Sequence, residues 1–117
     1  GKRLSAQSEP ERFYHGFVLG MIVELSDRYR ITSNRESGFG RYDVLMEPKN
    51  TRDDAIILEF KVQDKEDEPE LSDTVQRALL QIEEKGYAKA LEAAGVPGEK
   101  IRAYGFAFCG KRVLIGE

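Results

Sequence analysis

Apolar residues recur at Phe13, Phe17, Met21 and Leu25, with Tyr14, Val18 and Ile22 beside them. This wide stripe at helical spacing predicts a helix over residues 9–27. Pro10 suits the first turn of that helix, and Gly20 within it predicts close packing against another element. The period then changes. "YRITSNRE" is β-branched and alternating, the Gly-rich "SGFG" interrupts it, and "RYDVLMEP" resumes as a strand. After the turn-like "PKNTRDDA" comes the most hydrophobic run of the chain, "AIILEFKV", residues 55–62. The acidic, Pro-containing stretch "QDKEDEPE" reads as a solvated loop. A second helix is expected from about Ser72 to Ala94, with Val75, Leu79 and Ile82 inward and Gly95 closing it. Finally, "IRAYGFAFCGKRVLI" reads as a hairpin turning near Gly110–Lys111, with Tyr104, Phe106 and Phe108 in the core.

The predicted order is helix, three strands, helix, two strands, which is an α/β chain. The second and third strands follow each other across a short turn and should pair antiparallel. A length of 117 residues suits one domain with a single core. That domain is expected to be a piece of a longer chain. The net charge of −3 advertises no global basic field for nucleic acid or anionic membrane, although a local basic patch is compatible with it. One cysteine, Cys109, excludes an internal disulfide and favours a reducing, cytoplasmic setting. The single histidine, His15, excludes a His-rich metal centre and is read as a packing or hydrogen-bonding residue. "GFVLGMIVEL" is too short to span a bilayer, so no membrane partner is expected.

The hydrophobic run contains one acid and one base. Strand alternation puts Ile57, Glu59 and Lys61 on one face and Ile56, Leu58, Phe60 and Val62 on the other, which is taken as the core face. On the preceding strand Asp43 interrupts an apolar sequence in the same way. Two partly buried carboxylates on adjacent strands repel each other unless a cation lies between them. Mg²⁺ answers that need, because it takes hard oxygen ligands and keeps several waters. A lysine beside such an ion can orient or deprotonate one of those waters. A Glu-x-Lys triplet alone is usually a solvated surface pair. The Asp on the neighbouring strand, in this order of elements, favours a site.

Asp43 in "GRYDVLM" and Glu59-Phe60-Lys61 in "ILEFKV" resemble the motif of the PD-(D/E)XK nuclease superfamily. The longer string "NRESGFGRYDVLM…AIILEFKV…ALLQIEEKGYAKAL…GFAFCGKRV" is similar to a bacterial branch found at the C-terminal end of proteins with an AAA-ATPase-like domain. The likeness runs from about Glu11 onward. The proline of the family's name is replaced here by Tyr42, and Gln81 and Tyr87 stand six apart where some members have Gln-x-x-x-Tyr.

The resemblance implies a restriction-endonuclease-like core, helix–strand–strand–strand–helix–strand, with a mixed sheet flanked by helices. It implies Mg²⁺- or Mn²⁺-dependent hydrolysis of nucleic-acid phosphodiesters. Asp43, Glu59 and the backbone carbonyl of Phe60 would hold the metal, Glu11 would complete the shell, and Lys61 would position the attacking water. Gln81 and Tyr87 would approach the substrate. Arg35 and Arg41 either contact phosphate or solvate the sheet edge, and Lys85 is a further candidate for nucleic-acid contact. Gly38 and Gly40 read as a plain turn. An ATPase domain in the parent chain and a homodimer are the expected protein partners. The alternative function is a non-catalytic module of the same fold that gives an associated ATPase domain its partner or substrate binding.

Overall fold

The run "AIILEFKV" becomes the centre of a five-stranded sheet because both of its faces find cover. The computed structural model describes residues 9–35 and 41–117, with side chains placed for residues 16–34 and 41–117. Its elements are α1 (Glu9–Leu25), β1 (Tyr29–Arg35), β2 (Arg41–Pro48), β3 (Ala55–Val62), α2 (Leu71–Lys85), α3 (Tyr87–Ala93), a short 3₁₀ turn (Gly98–Lys100), β4 (Ile101–Cys109) and β5 (Arg112–Gly116). The strands lie in the order β1-β2-β3-β4-β5. All neighbours are antiparallel except β3 and β4, which run parallel across the α2–α3 crossover. This is the mixed, helix-flanked α/β sheet expected from the resemblance. Among the described residues no helix is long and apolar enough to cross a membrane.

Strand alternation supplies two cores. On one face Val44, Met46, Leu58, Phe60, Phe106 and Phe108 pack against Val18, Phe17 and Met21 of α1. The rings of Phe60 and Phe106 stack with centroids 4.8 Å apart, and Phe17 leans on Phe106 at 5.7 Å. On the other face Ala55 and Ile57 meet Ile82 and Leu91, while Ala107 meets Leu71 and Val75. The face carrying Glu59 and Lys61 is therefore covered by helix, and the expectation of one core face is corrected. Gly20 is also corrected: it faces solvent, with open space where a Cβ would stand. Leu19 and Val23 beside it are exposed too.

The second helix breaks where the sequence predicted continuity. Gly86 takes a left-handed conformation, φ 69°, which ends α2 and starts α3. That region is costly for a residue with a Cβ and open to glycine. At the start of α2 the backbone N–H of Glu70 donates to Asp73 Oδ2 at 2.9 Å, satisfying a helix-end donor. The helix then lies close on β4 because β4 offers small residues there. A Cβ added to Gly105 would stand 3.0 Å from the Val75 carbonyl oxygen and 3.1 Å from Ala78 Cβ.

The acidic stretch between β3 and α2 is solvated except at one residue. Glu68 is wholly buried, which corrects the reading of the run as a plain solvated loop. Its Oε2 accepts from Lys61 Nζ at 2.6 Å, and its Oε1 accepts from Thr74 Oγ1 at 2.8 Å and the Asp64 N–H at 3.0 Å. Burial pushes the Glu68 carboxyl up, but the bonds from Lys61, Asp64 and Thr74 together outweigh it and hold the group below its ordinary value. The loop is thus folded around a carboxylate that must stay ionised.

Two outcomes are expected. Gly105→Val should destabilise the domain by about 1–3 kcal/mol in chemical denaturation, the usual cost of overpacking; an unchanged midpoint would show that α2 is free to move away from β4. A lowered carboxyl contributes stability that is complete above its unfolded value and is lost as pH falls through the folded one. Wild type should therefore lose more stability than Glu68→Gln between neutral pH and the acid side of 4.5, the ordinary glutamate value. Parallel pH curves for the two proteins would contradict that assignment.

Candidate active site

Asp43 and Glu59 are paired directly across β2 and β3. Opposed antiparallel residues have Cα atoms about 4.5–5.5 Å apart, with side chains on one face. Both lie on the α2–α3 side of the sheet, because Asp43 alternates with the core residues Tyr42 and Val44 and Glu59 with Leu58 and Phe60. Glu59 is 0% exposed and Asp43 2%. That burial decides against a solvated surface pair.

A cation compensates them, and it comes from α2. Lys85 Nζ lies 2.6 Å from Asp43 Oδ2 and 3.6 Å from Glu59 Oε1. Just beyond the Gly86 break, the Tyr87 hydroxyl donates to the same Asp43 Oδ2 at 2.9 Å. Residues 85 and 87 reach one carboxylate oxygen because the left-handed Gly86 turns the chain between them. Burial raises the Tyr87 phenol, and its bond to Asp43 and the charge of Asp43 raise it further. Tyr87 is accordingly a phenol that donates to the carboxylate.

The remaining residues predicted for the site divide by place. Lys61 is on the Glu59 face two residues along β3, but its ammonium is bonded to Glu68. Arg41 sits opposite Lys61 in the register, half-buried, and its Nε is buried with no hydrogen-bond partner among the described residues. Arg77 Nη1 stands 3.9 Å from Glu68 Oε2. Arg41, Lys61, Arg77 and Lys85 thus concentrate positive charge along this one face of an acidic chain. Gln81 is half-buried on α2 one turn before Lys85, on the same helix side. The Phe60 ring is in the α1-side core, and its backbone lies in the ladder between β2 and β4, next to Glu59. Glu11 and His15 lie on α1, but their side chains, like that of Arg35, are outside the described ones, and Gly38 and Gly40 lie outside the described residues.

Sequence reasoning missed Glu68 as a partner for Lys61 and Lys85 as the cation on the carboxylates. The "KGY" string at residues 85–87 carried a usable signal for the second. A glycine inside a helical pattern often marks a helix end, and a base in the last turn favours that end through the helix dipole. Nothing in the local pattern sets Glu68 apart from its acidic neighbours.

The donor set fits a small hard divalent ion. Two carboxylates converge from adjacent strands, and one or two carboxylates with water commonly suffice for Mg²⁺. The pair already accepts a cationic group, the Lys85 ammonium. Among the described residues no group of three or more His, Cys, Asp or Glu side chains forms a fuller cage.

No curated protein matches the chain to a significant degree. No solved structure does so either. The family comparison is positive: residues 9–117 match the PD-(D/E)XK nuclease superfamily, taking in every strand and helix described above. With the match running through nearly the whole chain, from α1 to the end of β5, the chain belongs to the PD-(D/E)XK nuclease superfamily.

Proposed function

We propose that this domain is a divalent-metal-dependent nuclease that hydrolyses phosphodiester bonds of nucleic acids. The observation that carries the reading is the buried, in-register opposition of Asp43 and Glu59 with a cationic group lying against both. Family membership supports the class of reaction. In this reading Asp43, Glu59 and the Phe60 carbonyl hold Mg²⁺ or Mn²⁺, with Glu11 completing the shell. When bound, such an ion activates water and offsets charge on the phosphate.

The chain's own groups do the rest. Tyr87 holds Asp43 Oδ2 in place through its 2.9 Å bond. Glu68 orients the Lys61 ammonium through a 2.6 Å bond, and Lys61 positions the attacking water. Arg41 and Arg35 take up phosphate charge, and Gln81 contacts substrate beside them. This is a local basic surface on an acidic protein, so nucleic-acid affinity should be modest and salt-sensitive. A cytoplasmic setting, a homodimer for double-strand cuts and an ATPase domain in the parent chain belong to the same proposal.

One observation favours a second reading. Lys85 and Lys61 already supply cations to the buried carboxylates Asp43, Glu59 and Glu68. A fold completed in this way can serve as a non-catalytic module that gives an ATPase partner its binding specificity.

Cleavage of a panel of DNA and RNA substrates with Mn²⁺ separates the two. Lys61→Ala leaves Glu68 buried without its main cation, and removing one member of a buried pair costs about 3–5 kcal/mol. The informative protein is therefore Lys61→Met/Glu68→Gln, which removes both charges together. It should fold and bind Mn²⁺ nearly as wild type does, yet cut at least about 10²-fold more slowly, the range for a group acting on the reacting water. Cleavage by this variant at the wild-type rate would remove Lys61 from the mechanism. A wild type that cuts none of the panel would favour the binding module.

A further inference from the structure

We infer that Lys85 is a built-in counter-ion that occupies the metal position of the ion-free protein and exchanges with the incoming divalent cation. The inference rests on the metal reading above and adds a gate to it. Its first support is position. The ammonium is 2.6 Å from Asp43 Oδ2 and 3.6 Å from Glu59 Oε1, so it lies against one oxygen of each carboxylate, on the side where the two face each other. A divalent ion lying between these same two oxygens would take the space and the charge role of the ammonium.

The second support is that Lys85 is placed to leave. It is the last residue of α2, directly before the left-handed Gly86, and its side chain is 21% exposed where the two carboxylates are 2% and 0% exposed. A flexible four-carbon stem lets the charge swing to solvent while its backbone stays in the helix. The third support is that departure does not dismantle the site. Tyr87 keeps its own bond to Asp43 Oδ2, and the register of β2 with β3 holds both carboxylates opposed.

The exchange also has a driving force. The ammonium brings one positive charge to two carboxylates, and a divalent ion brings two. Before metal arrives, Lys85 supplies the buried pair with a counter-charge; afterwards it is a released cation on the basic face. The cost of the gate is weaker apparent metal binding. When a site is competent for a fraction of the time, its apparent affinity falls by that fraction.

Mn²⁺ titration calorimetry and amine labelling read out by mass spectrometry test this without any cleavage measurement. Lys85→Met removes the charge and keeps the stem. It should bind Mn²⁺ about tenfold or more tightly than wild type, as for a site covered nine-tenths of the time or more, and should be less stable without metal. Lys85→Gln should change in the same direction. In wild type, saturating Mn²⁺ should raise labelling of Lys85 towards that of the exposed Lys111, and Asp43→Asn should abolish the metal effect. Labelling on wild type decides the matter even if the variants fold poorly. If Mn²⁺ binds wild type through Asp43 while Lys85 labelling stays unchanged, or if Lys85→Met binds no tighter, the exchange is wrong and the metal site stands. If neither wild type nor the Lys85 variants bind Mn²⁺ through Asp43, both readings fall. If the exchange occurs and no nucleic acid is cut, the gate stands and the nuclease reading falls.

Discussion

Two carboxylates facing each other across adjacent strands, both shut away from water, are the constraint around which this domain is arranged. Asp43 and Glu59 are paired by the β2–β3 register, so neither can turn aside without breaking a ladder. Buried like charges at this spacing require compensation. The helix layer supplies it. Small residues on β4, above all Gly105, let α2 settle close to the sheet, and Gly86 ends that helix where Lys85 and Tyr87 both reach Asp43. The α1-side aromatic cluster fixes the opposite face, keeping β3 in place beneath the site.

The same solution appears a second time two residues along β3. Glu68 is buried in the loop before α2 and is held by Lys61, Thr74 and the Asp64 backbone. The face therefore carries two carboxylate–ammonium units, Lys85 on Asp43 and Glu59 and Lys61 on Glu68. Buried pairs of this kind contribute little net stability compared with apolar packing. In the proposed function they prepare the face for chemistry rather than reinforce it. The net charge of −3 hides this, since a local concentration of Arg41, Lys61, Arg77 and Lys85 has no signature in a chain-wide sum.

Much of the fold was legible because it rests on period. Alternation over residues 55–62 located β3 at its observed bounds, and the short turn after β2 implied the antiparallel pairing that sets Asp43 against Glu59. The hairpin of β4 and β5 followed from alternating aromatics and Gly110. What escaped depended on three-dimensional neighbours. Burial of Glu68 arises from a loop folding back on Lys61, and no local pattern distinguishes it from Glu66 or Glu70. The exposure of Gly20 depends on which side of α1 meets the sheet, and a stripe as wide as that helix carries does not settle the choice. The break at Gly86 was written in the sequence, but a helical pattern continuing on both sides masked it.

The role of the buried pair is decided by where a divalent ion binds. Crystals of the domain soaked in Mn²⁺ and measured at a wavelength where manganese scatters anomalously give the answer directly. One strong anomalous peak is expected between Asp43 and Glu59, within about 2.0–2.4 Å of carboxylate oxygens from both residues, with the Lys85 ammonium withdrawn from the 2.6 Å contact it now makes. A peak located elsewhere, or no peak while Lys85 keeps its contacts with both carboxylates, would contradict a metal role for the pair.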